Sequence, residues 1–261
     1  MTWKAAARSV LGNGHIKANI PCQDASECLV LENGKWLVGA VADGGGSLTH
    51  SDIGARIAVR YSVIALAASL RGGLLPDAFN SETEQFFASF WSDLVSDIRR
   101  QLNSEAEISD VPFSQYGATL IAFVAGQEWL AAMQIGDGFL VLCAESTSTE
   151  DCYHLAFTAR PSEHVGEVTW ITSSHWRDDF RQEVFAGPTK FVCASSDGLE
   201  KVAILQREQK AFPGFFRPLH MNANNGSCDL VTLAESTLTL PALDRFTDDD
   251  KSLLLGIWTD V

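Results

Sequence analysis

Trp36-Leu37-Val38-Gly39-Ala40-Val41-Ala42-Asp43-Gly44-Gly45-Gly46-Ser47 is an apolar, strand-like run that stops abruptly at Asp-Gly. The same event recurs at Asp137-Gly138 after Trp129–Gly136, and at Asp197-Gly198 after Phe191–Ser196. Two further acidic points lie near the ends: Asp24 in Pro21-Cys22-Gln23-Asp24-Ala25, and the triplet Asp248-Asp249-Asp250 before the apolar run Leu253–Trp258. If these runs lie side by side, their ends converge and carboxylates distant in sequence form one oxygen-rich cluster. Like charges at close range repel, so either some carboxyls keep protons or a hard divalent cation such as Mg²⁺ or Mn²⁺ neutralises them. Any one Asp-Gly, taken alone, is more readily an ordinary turn, because turns select Asp and Gly.

Working outward, Cys28–Leu31 and Trp36–Ala42 flank Glu32-Asn33-Gly34-Lys35 and predict a hairpin, because Asn-Gly between apolar runs favours a tight turn. A helix is expected from Ser51 or Asp52, either of which can cap it, to Gly72-Gly73, with Ile53, Ile57, Val63, Ile64 and Leu66 at helical spacing. A second is expected over about Ser81–Leu102, opened by the capping-box pattern of Ser81 and Glu84. Ala118–Ala125, Glu128–Ile135 and Phe139–Cys143 read as a meander. Residues 160–189 show no clean period and read as an irregular excursion. Lys190–Ser195 and Ser252–Trp258 read as the last core strands, with a helix between about Gly198 and Gln209. This order predicts an α+β fold with antiparallel sheets and helices packed outside.

The 261 residues contain no Pro-, Gly- or Ser-rich divider, which suggests a single domain, 1–261, and an apolar fraction of 46% is ample for its core. A formal net charge of −14 argues against nucleic acid or an anionic membrane as main partner. The N-terminal residues lack a signal-peptide layout and no apolar run reaches about 18 residues, so a cytoplasmic location is expected. Cys22, Cys28, Cys143, Cys152, Cys193 and Cys228 are scattered without metal-ligand spacing and read as thiols in apolar surroundings. There is no Gly-x-x-x-x-Gly-Lys loop and no Gly-x-Ser-x-Gly elbow.

Taken in order, Gln23-Asp24-Ala25, Val41-Ala42-Asp43-Gly44-Gly45-Gly46-Ser47, Ser51-Asp52-x-Gly54-Ala55, Tyr116-Gly117-Ala118-Thr119-Leu120, Gly136-Asp137-Gly138, Ser195-Ser196-Asp197-Gly198-Leu199 and Asp249-Asp250-Lys251-Ser252 resemble the motifs of the metal-dependent PP2C-type serine/threonine phosphatases. Gly14-His15 followed by Pro21–Asp24 is similar to the bacterial branch. The resemblance implies a central β-sandwich of two antiparallel sheets flanked by helices, with two Mn²⁺ or Mg²⁺ ions at one end. It implies that Asp43 bridges both ions, that the Gly44 carbonyl completes one shell, that Asp197 and Asp249 hold the first ion, and that Asp24 acts through metal-bound water. Asp137 would serve a third ion. Glycine after Asp43 is expected because a carbonyl turned toward an ion needs unusual dihedrals. Asp248 and Asp250 are expected to be solvated neighbours. The implied reaction is direct attack of a metal-bridging hydroxide on phosphoserine or phosphothreonine of proteins, with a Ser/Thr kinase as functional counterpart.

The chain also departs from that pattern. Where many relatives carry a His after the bridging Asp-Gly, it has Gly45. Where relatives place an Arg for the phosphate, it offers His15 and Lys17. Where a third-ion companion is usual, four residues after Asp197, it has Lys201. Residues 160–189 would be a flap-like insertion, with Trp170, Trp176 and the Arg177–Arg181 charges shaping substrate choice. The departures motivate a rival, a catalytically weak or inactive module that binds phosphoproteins. A structural Ca²⁺ domain fits the acidity but not the motif order.

Overall fold

The computed structural model describes residues 1–144, 152–158, 168–226 and 228–259. In chain order its elements are β1 (Thr2–Val10), α1 (Asn13–Ala18), β2 (Ala25–Leu31), β3 (Trp36–Ala42), α2 (Ser51–Arg71), α3 (Ser81–Ser109), β4 (Leu120–Ala125), β5 (Trp129–Ile135), β6 (Phe139–Cys143) and β7 (His154–Leu155). They continue with β8 (Arg181–Ala186), β9 (Phe191–Ser195), α4 (Glu200–Ala203), β10 (Ile204–Leu205), β11 (Lys210–Ala211), α5 (Pro213–Asn225), α6 (Leu230–Leu238) and β12 (Lys251–Thr259). Among the described residues, β1-β12-β9-β6-β7 form one five-stranded antiparallel sheet and β2-β3-β4-β5-β8 another, with β10 and β11 as a separate small hairpin.

Side-chain alternation builds the layers. In β3, Trp36, Val38, Ala40 and Ala42 face a core shared with Val63 and Leu66 of α2 and Trp91 and Ile98 of α3. Leu37 and Val41 face the other way, into a core between the sheets with Phe123, Leu140, Val192 and Leu254. In β12, Leu253, Leu255 and Ile257 pack with Phe216 and Leu219 of α5 and Leu233 and Leu238 of α6. The result is helices, sheet, sheet, helices, the expected α+β sandwich. A strand covered on both faces has no polar phase, which is why these segments read as unbroken apolar runs. Each large side chain buried in this way stabilises the fold by about 1.5–3 kcal/mol relative to exposure.

Several local expectations are corrected. The hairpin β2–β3 closes as predicted, in register Leu31↔Trp36. The cap of α2 is His50, with no side-chain hydrogen bond, rather than Ser51 or Asp52. The helix after Asp197 is a single turn, α4, and the chain then folds into the β10–β11 hairpin. The excursion at 160–189 contains a strand, β8, which pairs with β5 along its whole length; its residues 160–167 lie outside the described residues. Among the described residues α2 alone matches a membrane span by length and composition, but 56% of that window is buried, so it serves as a core helix.

The opening of α3 is also shifted by one residue. Asn80 is the cap: its Oδ1 accepts from the amides of Glu82 (2.9 Å) and Thr83 (3.0 Å), and Thr83 Oγ1 accepts from the Asn80 amide (3.2 Å). Replacing a capping Asn by Ala costs about 1 kcal/mol. Urea denaturation of Asn80→Ala is therefore expected to show a loss of about that size, with Ser81→Ala within about 0.5 kcal/mol of the parent. The reverse ranking would restore the Ser81 and Glu84 box.

Candidate metal centre

In antiparallel sheets, the end of one strand lies beside the start of its neighbour, and here that rule gathers acids. Asp24 precedes β2 and Asp43 follows β3, which pair as Ala25↔Ala42. Asp197 follows β9, whose Ser195 pairs with Phe139 at the start of β6 and with Leu253 near the start of β12. Asp137 therefore sits in the turn between β5 and β6, and Asp249 in the approach to β12. Asp43, Asp137 and Asp197 each offer a carboxylate oxygen, all within 4.8 Å of one another. The charge of Asp249 acts on all three, and that of Asp24 on Asp43 and Asp197.

The electrostatic consequence is large. Burial, then the negative charges of Asp24, Asp197, Asp137 and Asp249, push the Asp43 carboxyl far above the usual carboxylate range. Burial and the charges of Asp137, Asp249 and Asp24 push Asp197 up to about 7. Burial also raises Asp24, against the hydrogen bonds it receives from Ser196 and Ser252. The more open Asp137 is raised by the surrounding protein and by Asp179 and Asp249, with Arg181 opposing.

Backbone and side-chain hydrogen bonds hold these groups in place. Thr119 Oγ1 accepts from the Asp43 amide (2.9 Å), and the Thr119 amide donates to the Asp43 carbonyl (2.8 Å). Ser196 Oγ donates to Asp24 Oδ2 (2.6 Å) and accepts from the Ser252 amide (3.1 Å). The turn carrying Asp137 is fixed by Asp179 Oδ2, which accepts from the Gly136 amide (2.9 Å), and by Arg181, which donates to the Gly136 carbonyl. Gly44 is required for a reason other than the expected one. Its φ is not in the left-handed region, but a β-carbon there would lie 2.7 Å from the Ser51 carbonyl oxygen and 2.8 Å from that of Gln23.

The remaining predicted positions divide. His15, on α1, donates through Nδ1 to Asp250 Oδ2 (2.8 Å), whereas Lys17 is exposed on the same helix. Asp250 is not a solvated neighbour: it is 2% exposed, and it also accepts from the amides of Gly12 (2.7 Å) and Gln23 (2.6 Å). Asp248 and Asp249 are exposed. Gly45 is covered: a β-carbon there would lie 2.9 Å from Leu48 Cδ1 and 3.1 Å from Trp170 Cζ2. Trp170 is held against Gly45 and Gly117 by its neighbour Ile171, whose amide donates to the Ala118 carbonyl (2.8 Å) and whose carbonyl accepts from Arg99. Lys201 Nζ donates to the Phe246 carbonyl (3.2 Å). Thr119, Asp179, Arg181 and Asp250 are the supports missed as such in the sequence reading, since each acts across a fold contact that no local spacing encodes.

The donors fit a hard divalent cation. They are carboxylate oxygens without imidazole or thiolate, a set suited to Mg²⁺ or Mn²⁺ rather than zinc. The nearby Cys22 thiol is pushed up to about 12 by burial and by Asp250 and Asp24, and stays protonated.

Comparison with known proteins agrees with this fold. The family description protein phosphatase 2C matches residues 11–235. Serine/threonine-protein phosphatase 3 of Escherichia coli (strain K12) is 27% identical over 270 residues, covering 100% of both chains. Among solved structures, the serine/threonine phosphatase Stp1 from Staphylococcus aureus superposes with a TM-score of 0.62 at 13% identity, covering 99% of this chain and 95% of that one. RsbX in complex with magnesium superposes with a TM-score of 0.54 at 12% identity, over 98% of this chain and 95% of its own.

The raised acids make ion-free stability depend on pH. A carboxyl whose value is higher folded than unfolded binds more protons in the folded state, so its contribution is full below about pH 4 and is lost as pH rises through 7 for Asp197. In EDTA, Asp197→Asn should match the parent in Tm near pH 4 and exceed it increasingly as pH rises to 8, by about 2–4 °C per kcal/mol of relieved repulsion. Saturating Mn²⁺ should reverse the order at pH 8 by stabilising the parent. A Tm difference independent of pH would contradict this electrostatic account.

Proposed function

This chain belongs to the protein phosphatase 2C family, and we propose that it is a metal-dependent enzyme hydrolysing phosphoserine and phosphothreonine in proteins, with two Mn²⁺ or Mg²⁺ ions at the Asp43 cluster. The observation that carries this reading is the convergence of Asp43, Asp137 and Asp197 oxygens within 4.8 Å, at the end of the sandwich where Asp24 and Asp249 also arrive. In this reading Asp43 and the Gly44 carbonyl would hold both ions, Asp197 and Asp249 would hold one of them, and Asp24 would support them from behind. Divalent cations bound there supply an acidified water as nucleophile and positive charge for the phosphoryl oxygens.

The chain's own groups do the rest. Thr119 fixes the Asp43 backbone from both sides, so the carboxylate is preorganised before substrate arrives. His15 and Lys17, both on α1, are the candidates to grip the phosphate, with Lys17 as a point charge and His15 already oriented through its Nδ1. With Gly45 covered by Leu48 and Trp170, the leaving alkoxide would take its proton from water, with His15 and His50 as the chain's own candidates. Lys201 supplies no carboxylate where a third-ion companion would stand, and its Nζ is turned to the Phe246 carbonyl, which favours two ions over three.

Trp170 and its neighbours shape substrate choice within the flap-like region of 160–189. The single-domain reading of 1–261 is kept, and a Ser/Thr kinase is the proposed counterpart. A cytoplasmic location is part of the same proposal.

Hydrolysis of p-nitrophenyl phosphate and of a phosphothreonine peptide tests the proposal. Turnover is expected with Mn²⁺ or Mg²⁺, none in EDTA, and a loss of at least about 10²-fold in Asp43→Asn. Turnover independent of metal would refute it. Mn²⁺ and phosphopeptide binding without phosphate release would favour the binding module instead.

A further inference from the structure

We infer that Asp250, which is not itself a metal ligand, is the positioning residue of the metal centre: it clasps the 248–250 loop to the N-terminal segment Gly12–His15 and to Gln23. This rests on the metal reading above.

Both carboxylate oxygens of Asp250 are turned into the protein and already engaged. Oδ1 accepts from the Gly12 amide (2.7 Å), while Oδ2 accepts from the Gln23 amide (2.6 Å) and from His15 Nδ1 (2.8 Å). These partners are one step from the site: Gln23 precedes Asp24, and Asp250 follows Asp249. A second tie runs beside the first, from the Gly14 amide to the Asp248 carbonyl (2.7 Å). Packing adds a third, because the Gly12 backbone lies so close to that of Asp249 that a β-carbon would overlap the Asp249 carbonyl group. Asp249 itself is exposed, in an irregular stretch before β12. What sets it relative to Asp24 is therefore this set of contacts between the two ends of the chain.

The carboxylate is needed, not merely a residue of its size. An Asn in the same place keeps one acceptor oxygen and presents an NH₂ group on the other side. In one orientation that group meets the Gly12 amide, and in the other the Gln23 amide, and neither can accept a hydrogen bond. His15 can change tautomer to adapt, but a backbone amide cannot. Either way one of the two ties opens, and Asp24 and Asp249 lose their fixed separation. Groups that orient metal ligands from behind typically change metal affinity by about 10- to 100-fold when altered.

Isothermal titration of the full chain with Mn²⁺ tests this, alongside far-UV circular dichroism in EDTA and kcat as a function of Mn²⁺ concentration. Asp250→Asn should keep the parent's fold, bind Mn²⁺ at least about tenfold more weakly, and recover much of its kcat at saturating Mn²⁺, a split that general loss of structure would not give. Asp248→Asn removes the same charge from the same loop without touching the clasp and should stay within about threefold of the parent. Should Asp250→Asn not fold, Gly12→Ala carries the test, since it removes no charge and no ligand yet displaces Asp249; it too should weaken Mn²⁺ about tenfold or more. Parent-like affinity in a folded Asp250→Asn, or in Gly12→Ala when that variant carries the test, overturns the inference while leaving the phosphatase reading intact. A parent that binds no Mn²⁺ overturns both.

Discussion

Mutual repulsion among carboxylates held at one end of the sandwich is the constraint on which the rest of the site depends. Asp43, Asp137 and Asp197 come from three separate strand ends, and nothing local would bring them within 4.8 Å. The three apolar cores do so, by fixing the two sheets against each other and each sheet against its helices. The free energy of burial in the body of the fold thus opposes the charge repulsion at its end. A cation that relieves the repulsion gains affinity from it.

Around this cluster the structure is built to leave little freedom. Thr119 grips the backbone of Asp43, Ser196 bonds Asp24, and Asp179 with Arg181 fixes the turn bearing Asp137. Asp250 binds the chain's two ends together beneath Asp24 and Asp249. On the open side, Leu48 and Trp170 cover Gly45, so the position after Asp43-Gly44 has been closed by apolar packing rather than merely left without a side chain. The wall this makes beside Gly45 is apolar and aromatic.

Much of this was legible in the sequence because strands buried on both faces leave unbroken apolar runs, and β3, β4, β5, β6, β9 and β12 each left one. The acids terminating those runs could be placed once the runs were taken as neighbours. The elements that escaped have physical reasons. β1, with three alanines, a Lys and an Arg, has weak strand propensity and is set by full-length pairing with β12. β8 is only half-buried and owes its conformation to β5. α5 carries Pro213, Gly214 and Pro218, and its helix rests on packing of Phe216 and Leu219 against the sheet rather than on propensity. The expected helix after Asp197 yields to a β10–β11 pairing that only the register reveals. Asp250 looked like one more acid in a solvated triplet, because burial by Gly12, His15 and Gln23 is a property of the fold, not of the neighbouring residues.

The central claim is that the strand-end acids form one cation site, and a crystal structure of the chain grown with Mn²⁺, with data collected at the manganese absorption edge, tests it most directly. Anomalous peaks are expected between the carboxylates of Asp43 and Asp197, with Asp249 reaching one of the ions and Asp24 linked through water. Absence of any peak at that end of the sandwich, or peaks ligated only by other residues, would contradict the account.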